Sequence, residues 1–225
     1  MSFFVTPVTD EYGEVTYNPT VAGNVALVIV MLAVLLIGVA FFGKSRKTSA
    51  KQLAFSSVAI ALSMVTSLIT LVRMPMGGSV TLLSMFFITL VGYWYGLGAG
   101  LTASVAYGVL QLIIGPYILT IPQMVIDYIF AFGALGLSGI FSGVKNGLTL
   151  GYIAGVLGRY FFAFLSGWIF FGTYAGDYGF HSAVAYSLAY NGLYIGVEAA
   201  ITIVLINLPP VKRGLAAIRT LAVEQ

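Results

Sequence analysis

Residues 21–43 run from Val21 to Gly43 without a single charged side chain. At ~1.5 Å of rise per residue, about 20 apolar residues in a helix cross the ~30 Å hydrocarbon core of a bilayer. The run is too long for the apolar part of a secretory signal, and no positive segment precedes it. Residues 1–20 are instead polar and acidic, with Asp10, Glu11 and Glu14. Further apolar stretches follow at about 52–72, 80–95, 97–114, 123–142, 148–172 and 183–207. Their breaks hold Gly and Pro: Met74-Pro-Met-Gly-Gly78, Gly96 to Gly100, Gly115-Pro116, Gly143 to Gly147 and Gly176-Asp-Tyr-Gly179. Neither residue continues a helix well, so these are turns. A soluble domain carries about 25% charged residues. This chain carries 8%, against 60% apolar, and has too little polar side chain to cover a soluble surface. The pattern predicts an all-α integral membrane protein with seven spans in a lipid bilayer.

Charge tests that count. Lys44, Arg46, Lys47 and Lys51 follow the first run at once. Seven spans put Lys145, Lys212, Arg213 and Arg219 on the same side, and leave Arg73 on the other with Asp10, Glu11, Glu14 and Asp177. Eight basic residues face one across the membrane, and the basic side is expected to be cytoplasmic. The expected organisation is an extracellular polar N-terminus (1–20), a first transmembrane helix (21–43), a basic cytoplasmic loop (44–51), a six-helix membrane domain (52–207) and a cytoplasmic tail (208–225) lying along the membrane surface. The N-terminus is then outside and the C-terminus cytoplasmic.

Several function classes are disfavoured. The chain has no cysteine and one histidine, His181, which argues against disulfides and a zinc site. It holds no Gly-x-x-x-x-Gly-Lys-Ser/Thr, so it binds no nucleotide through a P-loop, and no His-Glu-x-x-His or Gly-x-Ser-x-Gly for hydrolysis. No span carries a row of arginines, and no basic patch interleaved with aromatics suggests nucleic acid. No enzyme activity, metal or cofactor is implied.

Three ionisable residues fall within spans: Asp127, Arg159 and Glu198. Each costs roughly 2.5–3.5 kcal/mol on insertion scales, so each needs a partner or a wet cavity. Arg159 and Glu198 lie at similar depth on antiparallel neighbouring spans, which predicts a structural ion pair between them. Asp127 lies one turn into its span, in Gln123-Met-Val-Ile-Asp127-Tyr128, after Pro116-Tyr117-Ile-Leu-Thr-Ile-Pro122. Two readings fit it: an interfacial or capping carboxylate among belt aromatics, or a pocket for an organic cation. In the second, the carboxylate neutralises the charge and aromatic faces add cation–π attraction. Phe161, Phe162, Phe164, Trp168, Phe170, Phe171 and Tyr174 crowd the same end of the next span, and Tyr186, Tyr190, Asn191 and Tyr194 open the last. An aromatic belt has no use for an asparagine, whereas an amide that donates and accepts suits a heterocycle edge. Ser57 and Ala61 form a small-xxx-small face for close helix approach, within the bundle or with a partner.

Four segments carry a resemblance: Met74-Pro-Met-Gly-Gly-Ser-Val-Thr-Leu82; Tyr117-Ile-Leu-Thr-Ile-Pro-Gln-Met-Val-Ile-Asp-Tyr128, continuing through Ala131-Phe-Gly-Ala-Leu-Gly-Leu-Ser-Gly139; Gly158-Arg-Tyr-Phe-Phe-Ala-Phe-Leu-Ser-Gly167; and Ala185-Tyr-Ser-Leu-Ala-Tyr-Asn-Gly192. In order and spacing they resemble the thiamine-specific substrate-binding (S) component of energy-coupling factor transporters, the ThiT family. The resemblance implies a six-helix S-component bundle in a bacterial plasma membrane, with the span at 21–43 as an added N-terminal helix. It implies capture of thiamine from outside and delivery through a shared module of one transmembrane coupling protein and two ATPases. Family ligand positions fall on Tyr117, Asp127, Tyr128, Tyr186 and Asn191, with Gln123 beside them. A histidine found in some members is Ala163 here. A tryptophan is Phe171, with Trp168 one turn earlier as a stand-in, and another falls on the glycines 77–78. The face that meets the coupling protein matches Ser57 and Ala61. The alternatives are an S component for another vitamin or a thiamine precursor, and a stand-alone transporter driven by protons through Asp127 or Glu198.

Overall fold

A computed structural model describes residues 3–9, 15–26, 29, 48–114 and 116–223. Most of the expected first span (21–43) and half of the basic loop after it (44–51) lie outside the described residues. Two strands form within the polar N-terminal stretch. Val5–Thr9 (β1) pairs antiparallel with Val15–Pro19 (β2). Thr20 closes this hairpin by donating its hydroxyl to the Phe3 carbonyl (2.8 Å), and it accepts from the Gly23 amide (3.1 Å) where helical backbone begins at Val21.

From residue 49 the chain is a helical bundle. Helix α1 spans Ala50–Leu68, capped by Ser49, whose hydroxyl accepts from the Gln52 amide at 3.1 Å. That bond satisfies one of the orphan donors of the first turn. A hairpin follows, with Thr70–Arg73 (β3) antiparallel to Ser79–Thr81 (β4). The stretches expected at 52–72 and 80–95 therefore each lose their hairpin-side ends, since residues 70–81 are strand and turn. Helix α2 is Ser84–Tyr95, and α3, Leu97–Gln111, continues after a turn at Gly96.

Helix α4, Ile121–Phe141, changes pitch along its length. An α-helical turn at Ile121–Met124 becomes π-helical over Val125–Ala131 and 3₁₀ over Ala134–Phe141. Helix α5 is Gly147–Phe170 and α6 is Ala183–Asn207. At 24 and 25 residues they are about 36 Å long, enough to cross a bilayer. Among the described residues, α1, α4, α5 and α6 are long and apolar enough to span a membrane, and α2 is a shorter apolar helix.

The tail is helical. Helix α7, Pro209–Val223, folds back on the bundle: the Tyr95 hydroxyl donates to the Ala222 carbonyl (3.1 Å), and the Arg219 guanidinium stands 4.8 Å from the Tyr93 ring centre.

The interior divides into two parts. The larger core surrounds α2, where Met85, Ile88, Val91, Tyr107, Leu135, Tyr152 and Ile195 are almost wholly buried. A smaller aromatic cluster of Phe171, Ala175 and Tyr186, with Met76, Tyr174 and Tyr190 packed on it, sits at the end carrying the β3–β4 hairpin. Between the two lies a cavity.

Candidate functional site

The cavity has a volume of about 430 Å³, within the range of small-molecule sites. Its wall draws on the hairpin, α4, α5 and α6. Of the residues singled out from sequence, Asp127, Tyr128, Tyr117, Tyr186, Asn191, Phe171 and Gln123 all line it.

Asp127 and Tyr128 sit in the π-helical stretch of α4. Such wide turns are rare and recur at functional sites. Thr120 starts the helix by accepting from the Gln123 amide (3.2 Å). Gln123 then acts as a bracket. Its Nε2 donates to Asp127 Oδ2 (2.5 Å) and to the Tyr117 carbonyl (3.2 Å), and its Oε1 accepts from the Leu119 amide (2.9 Å). Both ends of the amide are occupied, so Gln123 positions Asp127 and the 117–119 segment. The Gln123 bond falls on Oδ2; Oδ1 receives no comparable bond, with the Ser166 hydroxyl and the Arg159 guanidinium the nearby groups that favour its charge. Tyr128 accepts at its hydroxyl from the Tyr117 amide (3.1 Å), which fixes both rings on one wall. Helix α4 approaches α3 closely here, because a Cβ at Gly108 would collide with the Tyr128 carbonyl.

The aromatic side is a chain of rings. Tyr117 lies 5.9 Å from Phe171, and Phe171 6.3 Å from Tyr174. Tyr186 packs 5.6 Å from Tyr190 and 5.6 Å from Tyr178. Asn191 Nδ2 donates to the Ser187 carbonyl and hydroxyl (3.0 and 3.2 Å), and its Oδ1 accepts from Tyr194 (3.0 Å). Glycine at 167 is required opposite it, since a Cβ there would lie 2.8 Å from Asn191 Nδ2.

The hairpin forms the remaining wall. The Gly78 amide donates to the Tyr190 hydroxyl (3.1 Å), and that hydroxyl donates to the Pro75 carbonyl. Tyr186 places its hydroxyl 3.1 Å from Met76 Sδ. Met76 has φ +59°, an uncommon backbone for a side-chain-bearing residue, and these tyrosine contacts accompany it.

Two expectations are corrected. Arg159 and Glu198 form no ion pair. Glu198, 3% exposed, is saturated by other donors: the Thr81 amide (3.2 Å) and hydroxyl (2.6 Å) on Oε2, and the Ser84 hydroxyl and Met85 amide (3.1 Å each) on Oε1. It supplies the cap that Leu83, at φ +63°, cannot give to α2. Arg159 lines the cavity with its guanidinium 4.2 Å above the Phe132 ring, a cation–π contact. The direction each side chain faces depends on packing. Trp168 is the second correction. It is 47% exposed, stacks on Phe164 at 5.9 Å, and is not part of the cavity wall, so it does not stand in for a ring at Phe171.

Ser57 and Ala61 are both exposed on α1, along the stripe that also exposes Leu53, Val58, Leu62 and Val65. The wall residues not assigned a site role from sequence include Met76, Thr81, Ser84, Ser166, Tyr190 and Tyr194. Period four in α6 is the signal for two of them: Tyr186, Tyr190, Tyr194 and Glu198 share one helix face.

Comparison with known proteins gives a consistent result. Residues 53–217 match the family model described as "Thiamine transporter protein". A relative from Bacillus subtilis (strain 168), the thiamine transporter ThiT, is 34% identical over 154 residues, covering 62% of this chain and 78% of the relative. A solved structure of ThiT from Listeria monocytogenes superposes with a TM-score of 0.58 at 27% identity, covering 71% of this chain and 94% of that one. A match over most of the chain, joined to the membrane-spanning helices, makes this a multi-pass membrane protein and a transporter rather than an enzyme: the chain belongs to the thiamine transporter protein family.

Proposed function

We propose that this protein captures thiamine as the substrate-binding subunit of an ATP-driven importer. The observation that carries the ligand assignment is the Asp127 carboxylate, braced by Gln123 through Oδ2 alone, in a cavity walled by Tyr117, Tyr128, Phe171 and Tyr186. Thiamine joins a cationic thiazolium to a hydrogen-bonding aminopyrimidine. A carboxylate with one oxygen available answers the cation, and π faces around it add to the attraction. Gln123 keeps the carboxylate in place, and Asn191, its Nδ2 engaged by Ser187 and its Oδ1 accepting from Tyr194, keeps one lone pair on Oδ1 for the ligand.

The charge distribution supports a cavity that opens to the outside of a bacterial plasma membrane, with the C-terminus in the cytoplasm. The chain has no P-loop of its own, so ATP must be hydrolysed by partners. The exposed small side chains Ser57 and Ala61 provide a face on which a transmembrane coupling protein can pack closely, with two ATPases behind it.

The experiment is uptake into proteoliposomes with and without the coupling protein and ATPases. Thiamine import that needs ATP and the partners supports the reading. Import by the lone subunit, abolished by an uncoupler, would establish the proton-driven alternative. A competition panel of thiamine, its pyrimidine moiety, riboflavin and biotin on the purified subunit tests the ligand, and preference for any other member would reassign it.

A further inference from the structure

A serine inside a helix ordinarily satisfies itself on a carbonyl one turn back. Three threonines of this bundle do so: Thr66 donates to Leu62 (2.7 Å), Thr102 to Gly98 (2.9 Å) and Thr202 to Glu198 (2.8 Å). Ser166 on α5 does not. It is 1% exposed, and its hydroxyl has no hydrogen-bond partner. A buried polar atom without a partner costs about 1–3 kcal/mol, so each such atom asks for an explanation.

Among the described residues the buried side-chain atoms in this condition also include those of Ser63, Trp94, Ser104, Tyr152 and Arg219. None of these five lines the cavity, and Ser166 does. Its surroundings are the polar end of the site. The Ser166 hydroxyl lies near enough to the Asp127 carboxylate to stabilise its charge, but it is not placed to make a well-formed hydrogen bond with it. Gly167, the next residue, abuts Asn191. Ala163, one turn earlier on the same helix, also faces the cavity and carries no polar atom.

We infer that Ser166 is a ligand-binding residue whose hydroxyl pairs with the aminopyrimidine edge of the substrate docked on Asp127. This inference rests on the thiamine reading. A hydroxyl both donates and accepts, and can serve an amino group or a ring nitrogen. Binding gives this hydroxyl the partner that no protein group supplies, which adds to affinity. The neighbouring oxygens make the group selective, because a ligand edge that cannot hydrogen-bond leaves Ser166 and Asp127 both unsatisfied.

The test is calorimetric titration of thiamine, and of the analogue whose 4-amino group is replaced by oxygen, into wild-type protein and Ser166→Ala. Alanine suits a helix interior and removes only the hydroxyl. Ser166→Ala is expected to weaken thiamine binding on the order of 10-fold, which corresponds to about 1.4 kcal/mol. The analogue is expected to bind wild type more weakly and to lose less than thiamine does on the substitution. Ser166→Cys, which keeps a weak donor, is expected to fall between. Equal thiamine affinity in wild type and Ser166→Ala, or an equal loss for both ligands, would overturn the inference while leaving thiamine capture standing. A wild-type protein that binds no thiamine would overturn both.

Discussion

Two carboxylates lie inside this bundle, and their surroundings differ in kind. Glu198 is met by four protein donors, two on each oxygen, which tie α6 to β4 and to the first turn of α2. Asp127 is held through one oxygen by Gln123, while the other receives no comparable bond at the cavity wall. A buried charge is tolerable only when paired or hydrogen-bonded, so the first arrangement is complete and the second is not. Completeness marks Glu198 as part of the scaffold. Incompleteness at Asp127, within a π-helical turn and among aromatic faces, is what the proposed function accounts for, since a bound cation would complete the set.

Substitutions can break that contrast. The largest effect on folding is expected at Glu198→Ala, which leaves four buried donors without an acceptor. We expect a loss of about 3 kcal/mol, seen as an unfolding midpoint lower by roughly 10 °C. Thermal unfolding of the purified protein checks this, and an unchanged midpoint would mean that water replaces the carboxylate. A moderate effect is expected at Gln123→Ala. It leaves Asp127 in place but unbraced, and thiamine affinity should fall by roughly 10-fold, with folding affected less than in Glu198→Ala. Equilibrium titration measures it. Tyr190→Phe removes one hydroxyl that joins α6 to the hairpin through Gly78 and Pro75. Thiamine release is expected to quicken about 3- to 5-fold, read by stopped-flow displacement. The smallest effect is expected at Trp168→Phe, where affinity should stay within about 2-fold because the ring stacks on Phe164 away from the cavity. A larger loss there would return Trp168 to the site.

Much of this was legible in the sequence. Charge-free runs of bilayer length foretold a helical membrane protein, and the run of Tyr117, Gln123, Asp127 and Tyr128 foretold one wall. The reasons are local, because hydropathy and short spacing are properties of consecutive residues. What failed was non-local. Arg159 and Glu198 were paired by depth, but helix rotation turns Glu198 to the Thr81–Ser84 segment and Arg159 to Phe132. Trp168 stands one turn before Phe171, a spacing that puts two side chains on one helix face, yet α5 ends at Phe170 and Phe171 leaves the helical path at φ −115°, so the two rings diverge. The strands at 70–73 and 79–81 do not show in the sequence because Thr70-Leu-Val72 and Val80 continue the apolar stretches on either side, and strand pairing is decided across the turn at Met74–Gly78. The π-helical stretch leaves no mark in hydropathy at all.

The central claim is that the cavity is built for a cation and that Asp127, not Glu198, is its counter-charge. The direct measurement is thiamine titration into Asp127→Asn and Glu198→Gln, with unfolding midpoints recorded for both. The account predicts that Asp127→Asn keeps its fold and loses affinity on the order of 100-fold, while Glu198→Gln unfolds earlier but binds thiamine within about 3-fold of wild type wherever it is folded. Wild-type affinity in Asp127→Asn, or loss of binding in folded Glu198→Gln alone, would contradict it.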